Sequence, residues 1–271
     1  MKLAISNIAW PAEIDSTMYD WLQSNGIAAI EVAPTRIWPE WQGITAESVR
    51  AFRRRVESAG LGISSLQSIL FQKPELQLFG GEPERQELHA HLIRCADLAA
   101  ELGARCLVFG APKNRHRGTL TEGAALAIAT DFFSRLGDDY AARGVCLGFE
   151  ANPADYGCDF ITRSSTAATL VRVAASAGFR LHLDTACLHL AGEPAEETIT
   201  RNIDILRHVH VSEPYLGGFS DPRARHEESA VTLADAGYKG WVALEMRPAN
   251  PPLPAIETAV AFLRKTYGNS N

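Results

Sequence analysis

Residues 121–151 read TEGAALAIATDFFSRLGDDYAARGVCLGFEA and show the repeating unit of the chain. Thr121–Arg143 has the pattern of a helix that ends at Gly144, and Cys146–Ala151 is a short apolar run typical of a covered parallel strand. The same order recurs along the chain, because helical stretches end at a glycine and a strand-like run follows within a few residues. Such alternation predicts a parallel sheet with right-handed crossovers.

Eight strands are predicted from short runs that carry little charge except near their C-terminal ends. They are Leu3–Ile8, Ala28–Ala33, Gly62–Gln67, Cys106–Ala111, Cys146–Ala151, Arg180–Thr185, His208–Ser212 and Trp241–Met246. Five helices are predicted to end at a glycine: Ser48–Ala59 at Gly60, Pro83–Leu102 at Gly103, Thr121–Arg143 at Gly144, Ser164–Ala177 at Gly178 and His226–Ala236 at Gly237. No GxGxxG loop follows the first strand, which disfavours a Rossmann fold. We therefore predict one (β/α)8 TIM barrel, an α/β fold, as a single domain over residues 1–271.

The composition and charge narrow the class of protein. Hydrophobic residues make up 46% and charged residues 21% of the chain, which is ordinary for a globular protein. The formal net charge of −6 disfavours general binding to nucleic acid or to an anionic membrane. No apolar run is long enough to span a bilayer, and the N-terminus shows no signal-peptide pattern. Five scattered cysteines without a CxxC pair predict reduced thiols and a cytoplasmic location.

Ionisable residues lie where the last four predicted strands end: Glu150, Asp184, His210 and Glu245. Active sites of such barrels lie at the C-terminal ends of the strands. Three carboxylates that converge there repel one another, so at least one would take up a proton unless a cation compensates. Any one of these residues alone could equally be a salt-bridge partner or a loop anchor. Four at similar depth on adjacent strands predict a metal site.

The donor set indicates the kind of cation. Three carboxylates and a neutral imidazole sum to −3, and a divalent cation brings the site to −1. Oxygen-rich ligation with one imidazole suits Mn²⁺, Co²⁺ or Mg²⁺ and tolerates Zn²⁺.

Four stretches resemble the xylose isomerase-like barrel superfamily, which includes sugar phosphate isomerases and epimerases, ketose 3-epimerases, hydroxypyruvate isomerase, inosose dehydratase and, more distantly, apurinic-site endonucleases. They are GFEAN at 148–152, HLDT at 182–185, HVHVSE at 208–213 and GYKGWVALEM at 237–246. The resemblance implies a metal held by Glu150, Asp184, His210 and Glu245, with Glu150 and Glu245 also as acid/base groups. It also suggests a homodimer or homotetramer.

The implied chemistry is consistent with such a site. A hydroxy-ketone could chelate the cation, which would stabilise the cis-enediolate formed when a carbon loses its proton. If one glutamate removes the proton and the other returns it to the opposite face, the result is epimerisation. Return to the neighbouring carbon gives isomerisation, and loss of a β-hydroxyl gives dehydration.

We therefore expect an isomerase or epimerase of a small ketose, keto-sugar or hydroxy-keto acid. The alternative is a dehydratase of a keto-polyol on the same site. A non-catalytic sugar-binding barrel and a hydrolase similar to apurinic endonucleases are less favoured. The hydrolase would need extra histidine ligands and a basic groove, and neither is evident in the sequence.

Candidate substrate contacts are Gln67, Lys113, Asn152, His189 and Arg247. Lys113 lies in a locally basic loop that could hold a phosphate or carboxylate, or could simply be solvated. Arg247 could bind an anion or pair with Glu245. The resemblance also implies a histidine three residues after Asp184 and an arginine soon after His210. Cys187 stands at the first position, with His189 two residues later, and Pro214–Phe219 contains no arginine.

Three further polar residues lie on predicted strands. Glu31 ends the second strand and could face the pocket or anchor a loop. His182 and His208 each precede a predicted ligand by two residues and point inward at a deeper level, which favours hydrogen-bonded core histidines.

Overall fold

The computed structural model describes residues 1–268. Eight parallel strands, each paired with the next and the last with the first, close into a barrel. They are β1 (Lys2–Ser6), β2 (Ala29–Val32), β3 (Gly62–Leu66), β4 (Cys106–Phe109), β5 (Cys146–Glu150), β6 (Phe179–Asp184), β7 (Leu206–Ser212) and β8 (Trp241–Glu245). The predicted (β/α)8 TIM barrel is therefore confirmed.

Helices cover the outside of the barrel between successive strands. They are α1 (Asp15–Ser24), α2 (Pro34–Ile37), α3 (Ala46–Ser58), α4 (Glu82–Leu102), α5 (Glu122–Ala142), α6 (Ser164–Ala174), α7 (Thr185–Leu190), α8 (Ala195–Asn202), α9 (His226–Asp235) and α10 (Pro252–Tyr267). None of these helices, all within the described residues, has the length and apolar character to cross a bilayer.

Four of the five predicted glycine ends are found, with positive φ at Gly60, Gly103, Gly144 and Gly237. The prediction for α6 is wrong, since this helix ends at Ala174 and Ala175 takes the left-handed conformation with φ 52°. Gly178 has a different role. A Cβ at this position would collide with the carbonyl oxygen of Gly137, so the glycine lets α5 pack closely against the chain that enters β6.

Most strands end one or two residues earlier than predicted. After β1, for example, residues Asn7–Ala9 form a short 3-10 helix instead of continuing the strand. The residues just past several strands, such as Ala33, Ala151 and Met246, are apolar and buried, so hydrophobicity alone overestimates strand length.

Four phenylalanines fix strands β4 to β6 against α5. Phe133 of α5 stacks on Phe179 with ring centroids 4.7 Å apart, and it meets Phe149 edge to face at 5.3 Å. Phe109 of β4 lies parallel to Phe149 at 5.8 Å. All four are fully buried. Because Phe149 points outward into this cluster, the alternation of a strand turns Glu150 toward the inside of the barrel.

Candidate metal centre

The four predicted ligands meet at the C-terminal mouth of the barrel. Glu150, Asp184 and Glu245 are the last residues of β5, β6 and β8, and His210 lies two residues before the end of β7. Asp184 and His210 are register partners, so their side chains lie side by side. All four residues line one cavity of about 580 Å³.

The ligand atoms form two groups that share Asp184. Atoms of Asp184, His210 and Glu245 lie within 4.8 Å of one another, as do atoms of Glu150, Asp184 and Cys187. In the first group, His210 Nδ1 is 3.4 Å from Glu245 Oε2 and 3.9 Å from Asp184 Oδ2. These separations allow one cation to be held between the three side chains.

His210 is oriented by a carboxylate on the opposite side of its ring. Its Nε2 lies 2.8 Å from Glu31 Oε1, and Ser65 Oγ donates to Glu31 Oε2 at 2.7 Å. Nε2 therefore carries the proton, which leaves Nδ1 facing Asp184 and Glu245. Glu31 is thus neither a cavity wall nor a loop anchor, because it is fully buried, does not line the cavity and binds His210 and Ser65, which lie on strands.

The charges around His210 and Glu31 support this arrangement. Burial raises the pKa of Glu31, but His210 outweighs that effect and brings the pKa to about 2. Burial lowers the pKa of His210, but Glu31 and Glu245 outweigh it and hold the pKa well above its usual range. The two carboxylates therefore favour the charged form of the imidazole. A divalent cation would take the place of the proton on Nδ1.

The pKa of Glu150 reflects its burial and the repulsion between neighbouring carboxylates. Burial and the neighbouring Asp184 raise the pKa of Glu150 to about 8, so the carboxyl group holds a proton at neutral pH. A cation among three carboxylates and one imidazole would remove this repulsion and let Glu150 ionise. The donor set therefore fits a divalent metal ion.

The carboxylate of Glu150 is held on three sides. Asn152 Nδ2 donates to Glu150 Oε1 at 2.8 Å, and the Cys187 thiol donates to the same oxygen at 3.4 Å. On the other side, Oε2 lies so close to Gly110 that a Cβ at position 110 would collide with it. Glycine at this position, just after β4, makes room for the carboxylate.

A buried arginine that the sequence did not reveal supports this arrangement. Arg115 is fully buried, and its Nη2 donates at 2.8 Å both to the carbonyl oxygen of Glu150 and to Oδ1 of Asn152. Its guanidinium carbon lies 4.7 Å from the centre of the Phe149 ring. Because Oδ1 of Asn152 accepts from Arg115, the amide nitrogen of Asn152 must point to Glu150. From the sequence, the loop around Arg115 was expected either to hold an anion or to be solvated, and a buried supporting role was not predicted.

Asp184 is fixed by its own helix and by β7. Its Oδ1 accepts from the backbone N–H of Cys187 at 2.7 Å, so Asp184 is the N-cap of α7. Its Oδ2 accepts from Ser212 Oγ at 2.5 Å. Ser212 is a further site residue that the sequence did not identify, since a serine at a strand end carries no distinctive signal.

His182 and His208 form a layer beneath the centre. Their Nδ1 atoms lie 3.2 Å apart, and His208 Nε2 is 2.9 Å from Ser65 Oγ. Among the described residues, His182 Nε2 has no hydrogen-bond partner. Burial lowers the pKa of His208 to about 4, so this imidazole is neutral. Both lie where buried core histidines were predicted.

Four of the five candidate substrate residues line the cavity: Gln67, Lys113, Asn152 and Arg247. His189 does not, because its exposed side chain lies on α7 outside the cavity. Cys187 faces the cavity instead. Arg247 forms no ion pair with Glu245 within the described part of the chain, and its backbone N–H donates to the carbonyl oxygen of Leu216 at 3.0 Å.

Comparison with known proteins identifies a family. The family model described as xylose isomerase-like TIM barrel matches residues 19–266. Similar solved structures include D-psicose 3-epimerase from Clostridium cellulolyticum H10 with D-tagatose, at 14% identity and a TM-score of 0.84, covering 98% of this chain and 99% of that one. A 3-keto-D-glucoside 4-epimerase from E. coli has 16% identity and a TM-score of 0.78, with 98% and 99% covered.

The IolI protein with a bound zinc atom has 13% identity and a TM-score of 0.77, with 100% of this chain and 99% of that chain covered. At such identities these structures show a common fold. No curated protein matches the chain by sequence.

Proposed function

Because the chain belongs to the xylose isomerase-like TIM barrel family, we propose that it is a divalent-metal-dependent isomerase or epimerase of a small ketose, keto-sugar or hydroxy-keto acid. The observation that carries this proposal is the convergence of Glu150, Asp184, His210 and Glu245 in one cavity. Structures with the same fold include proteins named as D-psicose and L-ribulose 3-epimerases, which supports a carbohydrate substrate.

The same four residues would hold the cation. When bound, the ion supplies Lewis acidity at the oxygens of a hydroxy-ketone, which makes the neighbouring carbon easier to deprotonate. Mn²⁺, Co²⁺ and Mg²⁺ suit the oxygen-rich donor set, and Zn²⁺ is compatible with it. Glu31 contributes by fixing which nitrogen of His210 faces the centre.

Glu150 and Glu245 are the proposed acid/base pair. They extend from β5 and β8, which are separated in the barrel by β6 and β7, so they can approach a bound substrate from different sides. One glutamate, as a carboxylate, removes the proton from carbon, and the other, as a carboxylic acid, delivers its own proton to the opposite face. Arg115 and Asn152 position Glu150 for this transfer.

Substrate contacts are proposed for the residues that line the cavity beside the centre. Gln67 and Asn152 offer amide groups to hydroxyl oxygens, whereas Lys113 and Arg247 place two positive charges at the rim. A substrate role for His189 stays a prediction that its exposed position does not support.

Metal analysis and isotope exchange test the proposal. Wild-type protein purified without chelator should hold about one divalent ion per chain, and His210→Ala should lose it. His89→Ala is a matched control, since His89 lies on the surface beside Asp139. In D₂O with Mn²⁺ or Co²⁺, D-fructose, D-allulose and D-tagatose should then be screened by NMR for deuterium at carbon.

The outcomes are distinct. Metal binding with deuterium incorporation supports an isomerase or epimerase, whereas a product that has lost water indicates the dehydratase. Protein that takes up no metal even after soaking would contradict the proposal. A homodimer or homotetramer, a cytoplasmic location and the lack of a nucleic-acid partner stay predictions, and the five cysteines are free thiols in the structure.

A further inference from the structure

Two exposed aromatic side chains lie at the mouth of the cavity. Within residues 1–268, the exposed large hydrophobic side chains are Phe71, Val173, Tyr215, Val231 and Leu253. Only Phe71 and Tyr215 are aromatic, with 57% and 54% of their surface exposed. These two alone among the five line the cavity that contains the metal centre. Exposed aromatic surface beside a polar site is typical of a ligand contact.

Tyr215 is held in its position by strained backbone. Tyr215 has φ 59° and Leu216 has φ 57°, so two successive residues other than glycine adopt the left-handed conformation. The Tyr215 N–H donates to the Tyr156 hydroxyl at 3.0 Å, and the two rings meet edge to face at 5.6 Å. The Leu216 carbonyl accepts from the N–H of Arg247. Strain of this kind is concentrated at ligand sites, where the surroundings hold it in place.

Phe71 lies on the other loop of the mouth, residues 67–81 between β3 and α4. The Phe71 N–H donates to the Ser68 carbonyl at 3.0 Å, which closes a turn. Buried Asn114 ties this loop to the loop that follows β4, because its Nδ2 donates to the carbonyls of Lys73 and Leu76 at 2.7 and 2.8 Å. Phe71 is therefore presented by a loop with fixed attachments.

The cavity is larger than its chemical centre requires. Its volume of about 580 Å³ lies within the range of roughly 300–1,000 Å³ that is found for sites of drug-sized ligands. A single ketose is smaller than a drug-sized ligand, so it would leave part of the cavity unfilled. Beyond the four ligands, the wall is largely apolar, with Ile69, Leu70, Val108, Ala111 and Leu216. Lys113 and Arg247 add hydrogen-bond donors at the rim.

We propose that Phe71 and Tyr215 form a second subsite that holds a sugar ring linked to the ketose at the metal centre, so that the substrate is a glycosylated ketose. The C–H bonds on one face of a pyranose pack against the electron-rich face of an aromatic ring, while its hydroxyl groups accept from Lys113 and Arg247. This inference rests on the proposed function and narrows its substrate class to keto-sugars that carry a second ring.

Deuterium exchange compares ketoses with and without the second ring. D-fructose is the reference, and lactulose and isomaltulose are fructose units that carry a galactosyl or glucosyl ring. Wild-type protein with Mn²⁺ should exchange at least one disaccharide with a kcat/KM about tenfold above that of D-fructose. Phe71→Ala and Tyr215→Ala should each reduce this ratio by about threefold or more.

The ratio is decisive because a general loss of folding or of metal would lower both rates alike. Val231→Ala is the control, since Val231 is 61% exposed on α9 and does not line the cavity. It should keep the wild-type ratio. A wild-type ratio near one for both disaccharides, or an unchanged ratio in both aromatic variants, would overturn the subsite.

Saturation-transfer NMR separates the subsite from the catalytic proposal. With isomaltulose and metal-loaded protein, saturation should reach the glucosyl protons in wild type and fall in Phe71→Ala. Glucosyl contact without exchange on any ketose would support the subsite while the proposed function fails. Exchange on D-fructose without glucosyl contact would overturn the subsite and leave the function standing. Conversion of a wild-type dimer to monomers by Phe71→Ala, seen in sedimentation, would also overturn it, because the ring would then be a subunit contact.

Discussion

The two ring nitrogens of His210 face different partners, and this determines how the residue can act. Nε2 is bound to the buried carboxylate of Glu31, whereas Nδ1 faces Asp184 and Glu245. A histidine whose far nitrogen is bound by a carboxylate has a fixed ring orientation and is a more basic ligand. Glu31 should therefore influence metal affinity although it does not line the cavity.

Glu31→Gln should weaken binding of Mn²⁺ or Co²⁺ by about 10- to 100-fold, because the amide cannot supply the negative charge that orients His210 and raises its basicity. Isothermal titration calorimetry on metal-free protein measures this directly. Glu193→Gln is the matched control, since Glu193 is also a buried carboxylate but accepts from the backbone of Ser164, outside the cavity. Equal affinity in Glu31→Gln and wild type would contradict the role given to Glu31.

Gly110→Ala should displace the Glu150 carboxylate, because the new methyl group would occupy the place of Oε2. A misplacement of about 1 Å at a reacting group can cost about 100-fold in rate, so kcat should fall by about this factor. Steady-state kinetics with a ketose found by the exchange screen, with metal content measured in parallel, tests this.

Gly123→Ala is the control for the effect of an added methyl group, since no atom of residues 1–268 lies within 4 Å of a Cβ at that position in α5. It should retain wild-type kcat. Wild-type kcat in Gly110→Ala would show that Glu150 is not confined by this contact.

At the scale of elements, Glu213 joins the end of β7 to the start of α9. Its carboxylate accepts from the backbone N–H groups of Arg223 and Ala224 at 2.8 and 3.1 Å, and His226 Nε2 lies 2.6 Å from Oε1. Burial raises the pKa of Glu213, but the hydrogen bonds from His226 and the two amides outweigh it and lower the pKa. The connection therefore depends on an ionised carboxylate.

Because the pKa of Glu213 is lower in the folded than in the unfolded chain, its contribution to stability is complete above the unfolded pKa. The contribution is lost as the pH falls through the folded pKa. Glu213→Gln should lower the free energy of unfolding by about 1–3 kcal/mol at pH 7, and the difference from wild type should shrink in acid. Urea unfolding at several pH values measures this. A difference that is independent of pH would show that the charge of Glu213 is not what stabilises the connection.

The strands and most helix ends could be predicted from sequence because they follow from local preferences of the residues. Gly60, Gly103, Gly144 and Gly237 adopt positive φ after their helices, which is the local preference that the prediction used. Gly178 broke the pattern because its reason is tertiary, namely the close approach of Gly137. Sequence shows that a glycine is present but not which constraint requires it.

The eightfold repeat of strand and helix in the sequence predicted the barrel. Closure of the barrel brings Glu150, Asp184, His210 and Glu245 together. The contacts by which Arg115 and Glu31 support these side chains could not be foreseen. Arg115 comes from a loop that looks basic in sequence, and Glu31 comes from β2, which β8 and β1 separate from the strand of His210. Their contacts join residues 37 and 179 positions apart in the chain, so no local pattern reveals them.

The position of Phe71 and Tyr215 on loops affects how the substrate preference of such a protein can evolve. The proposed acid/base residues Glu150 and Glu245 lie at strand ends, whereas both aromatic side chains belong to loops that contribute none of the four proposed metal ligands. If both proposals hold, reaction type and substrate preference are encoded in separate parts of the chain. Loop replacement could redirect this scaffold to new carbohydrates while its proton-transfer chemistry is inherited intact, and natural divergence within the family has the same route open to it.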